Sequence, residues 1–476
     1  MGSEAPQDSP EEMIAFNLLN PSNGSTLTPR LGKLAIAGRK AISTPHYIPL
    51  TSRGAVPHIA QDVVREHVSI GGLYFGLEDF IEKLQKKGIP PIYKTPAAPN
   101  ESPLRNFTAF PEDLVTVLGP RRVPPIPCPS SNTPNSIAVL TGIGFAQLDS
   151  NQYVEAVQKL RPDIVVGMSD LVLTHPPGIK RQGKMVDRTH AFTTHATENL
   201  YGNTVADENR SKAAYFAPLL PLDNAQQTVY LDELEEELRP HVSGLALYES
   251  ASLSIVPESL GDLPRMLFSQ PATPHDLLRE VSLGADLLTI PFLGAASDAG
   301  IALDFVFPPP SDTLVSTPTP LGFDLWSNDY TTDTKPLQQG CECYACRNHH
   351  RAYIHHLLQA KEMLAWTLLQ IHNIHNMDTF FARIRASIQQ GTFESDAQNF
   401  HRVYDPQLPA QTGLGPRIRG YQSPSTGPNE PRRNPRAYGR LNDAIEKFAE
   451  SQSSIATPDT GAEGLEEHGF AEKLSS

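Results

Sequence analysis

Along residues 154–292 the spacing of apolar positions changes period repeatedly. Residues 154–160, 186–200, 229–238 and 274–282 read as helix, whereas 163–169, 215–220, 243–248, 265–269 and 285–291 are short apolar runs of strand length. Thr273-Pro274-His275-Asp276 marks one helix start: Thr as N-cap, Pro at the first helical position, where no N–H is needed, and a carboxylate three residues after the cap. Such a βαβα succession implies parallel strands wrapped by helices, as a (β/α)8 barrel or as an open doubly wound sheet. No GxGxxG follows a strand and no Walker A sequence is present, which disfavours the nucleotide-binding version. No internal repeat of fixed period is present.

Proline changes this picture at two places. Residues 90–134 and 307–320 are rich in it, and since proline disfavours both helix and central strand, these stretches are expected to be long ordered loops or insertions. After Asp405 the chain turns to Gly, Pro, Ser and Asn, with Arg417, Arg419, Arg432, Arg433, Arg436 and Arg440 against Glu430, and then becomes acidic from 441 to 476. So little apolar surface does not offset the entropy of ordering, and a largely disordered tail is expected, its Arg cluster read as solvated linker in preference to an RNA contact.

The whole chain carries 39 Lys+Arg against 53 Asp+Glu, a formal charge of −14, and only 4 Cys. A disulfide-stapled secreted domain is excluded. No apolar run reaches the roughly 18–20 residues of a membrane helix, and the start lacks a basic region followed by an apolar one, so no membrane insertion is expected. Met1-Gly2 is not read as a myristoylation site, because position 6 is Pro. The expectation is a soluble cytoplasmic protein, with peripheral association with an organelle surface left open. Phosphate backbones are held by cations, so any nucleic-acid contact would need a partner to supply positive charge.

Three of the four cysteines fall in Cys341-Glu342-Cys343-Tyr344-Ala345-Cys346. Thiolates so spaced can converge on one tetrahedral Zn2+, closed by a nitrogen ligand as a structural Cys3His site. His349, His350, His355, His356, His372 and His375 all follow, and local spacing alone favours His349. On one straight helix His372 would lie about 38 Å along the axis at roughly 1.5 Å per residue, so it serves only if the chain turns back, plausibly near 359–361.

This stretch, with Arg351 to Leu358, Glu362-Met363-Leu364 and Ile371-His372-Asn373, resembles the zinc-binding region of the tRNA-guanine transglycosylases, the queuine tRNA-ribosyltransferase family. The family pattern is CxCxxC with a His twenty-six residues on, which selects Cys341, Cys343, Cys346 and His372 as ligands of one structural Zn2+ per subunit. Weaker resemblance covers Ser43-Thr44-Pro45, Asp163 to Val166 with Met168-Ser169-Asp170, Ser243-Gly244-Leu245-Ala246, Leu263-Pro264-Arg265 and Gly284 to Leu288. It implies a (β/α)8 TIM barrel with an inserted zinc-binding subdomain: barrel core in 1–335 with a Pro-rich insertion at 90–134, zinc subdomain and closing helices in 336–400, and tail in 404–476.

The family exchanges guanine at the tRNA wobble position for queuine, one Asp attacking ribose C1′ and a second moving protons. Here Thr289 stands where the attacking carboxylate should be, and a Thr hydroxyl is un-ionised at neutral pH. The proton-transfer loop has no counterpart among residues 70–84, Leu219-Leu220-Pro221-Leu222 replaces a base-binding turn, and Tyr248 replaces a glycine; Asp170 of the pocket is retained. Scaffold and zinc site kept, with nucleophile and pocket lost, imply a non-catalytic accessory subunit that pairs with a catalytic homologue as a heterodimer and meets tRNA through that complex. Two alternatives remain: an active transglycosylase using Asp286 or Glu249, and a standalone zinc RNA-binding protein.

Overall fold

Eight short strands supply the frame: β1 (His46–Tyr47), β2 (Gly72–Gly76), β3 (Val115–Gly119), β4 (Ile164–Val166), β5 (Ala214–Leu219), β6 (Gly244–Leu247), β7 (Arg265–Leu267) and β8 (Leu287–Leu288). In this computed structural model, which describes residues 14–20, 27–82, 88–128, 131–310 and 317–416, they form one parallel sheet in the order β1-β8-β7-β6-β5-β4-β3-β2. The two ends of that order meet. Tyr74 N donates to Pro49 O at 3.0 Å and Thr51 N to Tyr74 O at 3.1 Å, so the segment after β1 pairs with β2.

Side chains alternate across each strand, and here both faces are buried. Val115, Val117, Ile164, Val166, Phe216, Ala246, Met266 and Leu287 point into one cluster. Their neighbours Leu118, Val165, Tyr215, Leu245, Leu247, Leu267 and Leu288 face a second cluster shared with the helices. This is why the strands read as continuous apolar runs without polar alternation.

The helices are α1 (Gln61–His67), α2 (Pro103–Thr108), α3 (Ser150–Leu160), α4 (Ile179–Tyr201), α5 (Thr228–Glu235), α6 (Pro274–Ser282), α7 (Pro291–Ala299), α8 (Tyr344–Asn348), α9 (Arg351–Gln359), α10 (Met363–Gln390) and α11 (Phe393–Val403). α6 begins as expected, with a Thr273–Asp276 capping box and Pro274 in its first turn. No helix among the described residues is long and apolar enough to cross a membrane.

Two expectations need correction. The Pro-rich stretch 90–134 is not an insertion made of loop, because it contains α2 and the wholly buried β3. Pro103 opens α2, where its missing N–H costs nothing, and residues 112–119 form a proline-free window whose Val115, Thr116 and Val117 suit a strand. Residues 404–416, assigned by composition to the tail, lie on the folded body: Thr412 N donates to Asp324 Oδ2 at 3.1 Å and Val306 N to Tyr404 Oη at 3.0 Å. The rest of the tail, with its Arg cluster, lies outside the described residues.

A three-stranded antiparallel sheet of Ile14–Leu18, Gly32–Ile36 and Ile42–Thr44, absent from the sequence reading, covers the N-terminal ends of the parallel strands with Leu34, Ile36 and Ile42. Arg30 pins it there. Its guanidinium donates to both Asp286 oxygens, at 3.2 and 2.7 Å, and to the carbonyls of Gly261 and Leu263, at 2.6 and 3.0 Å. Arg30→Met would leave the buried Asp286 short of its main partner and is expected to cost about 3–5 kcal/mol in urea unfolding, with Arg30→Met/Asp286→Asn recovering much of the loss. A loss in the single variant no larger than in the double would remove this assignment.

Candidate functional site

The thiol segment is organised by a short helix. Cys343 caps α8, its Sγ accepting from Cys346 N at 3.3 Å, which turns Cys346 back toward Cys343. α9 then ends at Gln359, and Lys361 takes a left-handed φ of 56° while Glu362 N donates to Leu357 O at 2.9 Å. α10 therefore starts in a new direction and carries His372 back over the thiols. His372 Nδ1 lies 3.7, 3.6 and 3.4 Å from the sulfurs of Cys341, Cys343 and Cys346, and the four donor atoms all fall within 4.8 Å of one another.

The other histidines go elsewhere. His349 stacks on Tyr353, His350 caps α9 by accepting from Tyr353 N, His355 Nδ1 meets Leu325 O, and His356 is exposed. His375 lies beside Cys341, which raises its pKa, and is not among the four clustered donors.

These donors suit a tetrahedral ion. Bonds of about 2.3 Å to sulfur and 2.0–2.1 Å to nitrogen make S···N edges of roughly 3.6 Å, which is the separation found. His372 Nε2 sits 2.8 Å from Leu303 O, so the Nε2–H donates to that carbonyl and Nδ1 is the nitrogen turned toward the thiols, its lone pair freed once its proton is displaced. Hydrogen bonds from Cys343 and Cys346 hold the Cys341 thiol far below its usual range, whereas the same sharing pushes Cys343 up. For His372 burial acts downward, but Cys341 and Cys346 raise it to about 10. Protons are thus held where a metal would bind, and an ion must displace them. With four protein donors no position is left for an activated water.

The C-terminal strand ends hold the second cluster. Thr289, just past β8, is fully buried; its N–H and Oγ1 both donate to Leu267 O, at 3.1 and 3.3 Å. Asp286 precedes β8, at the opposite end of the sheet, and is bound by Arg30 and by Arg265 N at 2.8 Å. Glu249 is exposed. Tyr248 accepts from Ser169 Oγ at 2.9 Å and stacks on Phe268, whose ring meets Tyr74 edge-on, so aromatic rings fill the space between these strand ends. Glu78 and Asp79, after β2, are spent on structure: Glu78 accepts from Arg122 N and from Leu140 N, and Asp79 from Arg53 N.

Asp170 has no exposed surface. Its carboxylate accepts from Arg181 Nη1 and Nη2 at 2.7 and 2.5 Å, Arg188 Nη1 at 3.0 Å and Asn132 Nδ2 at 2.6 Å. Burial acts to raise its pKa, yet the bonds from Arg181 and Asn132 prevail and hold it below the usual carboxylate range. The sequence reading did not foresee these partners. Arg181 and Arg188 lie seven apart on one face of α4, the single local signal that could have paired them.

Residues 25–406 match the protein-family model described as Queuine tRNA-ribosyltransferase. Among curated proteins, one from Schizosaccharomyces pombe named Queuine tRNA-ribosyltransferase accessory subunit 2 is 37% identical over 409 residues, 86% of this chain and 89% of that one. Proteins of the same name from Drosophila pseudoobscura pseudoobscura and Xenopus tropicalis are 30% and 27% identical, over 75% and 78% of this chain and 86% and 95% of theirs.

Metal analysis of the purified chain is expected to give one ion per chain. Cys343→Ser should lose it and melt at lower temperature, His349→Ala should keep it, and affinity should fall with falling pH as the donors take up protons. Asp170→Asn is expected to cost roughly 1.5–3 kcal/mol at neutral pH. Because the folded-state pKa of Asp170 is depressed, its contribution is complete above the unfolded value of about 3.9 and is lost as pH falls through the lower folded value. The stability gap between the two proteins should therefore close in acid below about pH 3.9, and a gap independent of pH would contradict the assignment.

Proposed function

This chain belongs to the queuine tRNA-ribosyltransferase family, and we propose that within it the chain is the non-catalytic accessory subunit, pairing with a catalytic homologue that exchanges guanine for queuine at the wobble position of tRNA. The observation that carries this reading is the state of the strand ends. Thr289, buried and bonded to a backbone carbonyl, offers no free nucleophile, and the retained Asp170 is already saturated by Arg181, Arg188 and Asn132. The alternative acids do not favour an active enzyme, since Asp286 sits at the other end of the sheet and Glu249 is exposed.

The frame is read as a closed (β/α)8 barrel, supported by the Tyr74 bonds that join the two ends of the strand order. The ion at Cys341, Cys343, Cys346 and His372 is read as a structural Zn2+, since three thiolates and an imidazole in a closed tetrahedron suit that metal. When bound it supplies folding energy; the residues alone supply orientation, with Leu303 O fixing the His372 ring. The net charge of −14 makes tRNA a ligand of the complex, with the partner providing most cationic surface. The complex is placed in the cytoplasm.

Sedimentation of this chain mixed with a catalytic homologue is expected to show a one-to-one heterodimer, and the isolated chain to show no exchange of labelled guanine. Thr289→Asp should stay inert by itself, because a carboxylate there still lacks a pocket that orients the ribose, and misplacement of about 1 Å already costs on the order of a hundredfold. Separate species at micromolar concentration, or guanine exchange by the isolated unaltered chain, would overturn the reading.

A further inference from the structure

Five carboxyl side chains are buried among the described residues: Glu78, Asp79, Asp170, Glu280 and Asp286. Four of them meet an arginine or a backbone N–H. Glu280, 2% exposed, meets neither: its Oε1 accepts from Ser250 Oγ at 2.9 Å, and its other polar neighbour is the Ser269 hydroxyl. Among the described residues Glu280 Oε2 and Ser269 Oγ, both buried, have no further hydrogen-bond partner. Glu280 stands in the last turn of α6, and because helical side chains lean toward the helix N-terminus it reaches back to the C-terminal strand ends. Ser250 lies shortly after β6, two residues beyond Tyr248, and Ser269 follows Phe268 after β7, so both segments lead from the stacked ring pair. The charged side chains that act on Glu280, Asp276 and Arg279, belong to its own helix and oppose each other. From the segments after β6 and β7 it meets uncharged hydroxyls, Glu249 beside Ser250 being exposed, and His401 of α11 stacks on His275 of α6 instead.

We infer that Glu280 is a resident proton site: the folded chain holds it as a neutral carboxylic acid whose O–H donates to Ser269 Oγ, and that proton clasps the two segments whose rings fill the strand ends. An ionised carboxylate taken out of water needs a cation or several N–H donors, and two hydroxyls supply neither. A proton removes the charge at the cost of a pKa shift; burial pushes this carboxyl above its usual range, with the Ser269 and Ser250 hydroxyls acting against it. The acid form also offers what the anion lacks, since Oε1 accepts from Ser250 while the O–H donates to Ser269, so one side chain bonds both segments. Loss of the proton leaves an uncompensated buried charge beside Ser250 and Ser269, and the strand ends loosen at Tyr248 and Phe268. The inference rests on the surroundings of Glu280 and not on the partnership proposed above.

Urea unfolding of the full chain at a series of pH values tests it, with Glu280→Gln as the uncharged mimic that keeps one acceptor and one donor. A raised folded-state pKa means that folding favours the protonated form. Below the unfolded value of about 4.3 the two proteins should differ by a constant amount; above it the unfolding equilibrium constant of the unaltered chain, relative to that of Glu280→Gln, should grow about tenfold per pH unit until the folded carboxyl ionises. A difference that does not move with pH, or that moves in favour of the unaltered chain, overturns the inference. If Glu280→Gln folds poorly, hydrogen exchange of the unaltered chain serves, corrected for the intrinsic effect of pH on exchange. Amides at 247–250 and 267–270 should lose protection as the carboxyl ionises, and protection unchanged up to about pH 10, beyond the roughly 8–9 that buried Glu reaches, overturns the inference. Melting temperatures in sodium, potassium and choline chloride at equal ionic strength should agree. A gain with sodium or potassium that Glu280→Gln abolishes would put a metal cation in place of the proton and overturn the inference.

Discussion

An imidazole has two ring nitrogens, and in His372 both are committed: Nδ1 to the three thiols and Nε2–H to Leu303 O. The rest of the architecture leans on the helix that places it. Next along α10, Asn373 accepts from Leu303 N at 2.9 Å and donates to Ile301 O at 3.0 Å, holding the strand Ile301–Leu303. Further on, Tyr47 of β1 donates to Asp378 Oδ1 at 2.8 Å, and Arg385 donates to Pro45 O at 2.9 Å. One 28-residue helix therefore ties the candidate metal centre, through His372, to the first strand of the parallel sheet and the residue before it, through Asp378 and Arg385. A scaffold so coupled preserves its metal ligands for structural reasons whether or not chemistry takes place elsewhere.

Carboxylates show the same economy. Asp286, Asp170, Glu78 and Asp79 are all buried, and a buried anion persists only when paired or richly hydrogen bonded. Each is met by arginine or by backbone N–H groups. At the N-terminal strand ends Arg30 and Asp286 close the sheet floor, and at the C-terminal ends Arg181, Arg188 and Arg122 perform the same service. An acid satisfied in this way is a structural element. At the C-terminal strand ends Asp170, Glu78 and Asp79 have their oxygens engaged in this way.

Strands buried on both faces were legible in the sequence as apolar runs, and α6 was legible from its cap, because local chemistry decides both. The cysteine spacing pointed to three donors of a candidate metal site, and Cys341, Cys343 and Cys346 do converge, around the N-terminus of α8. Strand β3 was hidden by flanking prolines whose effect is local and stops at the residues they touch. The antiparallel sheet near the start was hidden because its three short strands gain stability only by covering another sheet's interior.

What the sequence determined by itself was therefore the kind of element at most positions, the three thiols of the candidate metal centre and the absence of a carboxylate at Thr289. Local spacing favoured His349 and the family spacing selected His372; tertiary structure brings His372 onto the thiols through the reversal at Lys361. It also decided the state of Asp170. A carboxylate at a strand end reads the same in sequence whether it is free or saturated, and only folding brings Asn132, Arg181 and Arg188, each from eleven to thirty-eight positions away, within hydrogen-bond reach.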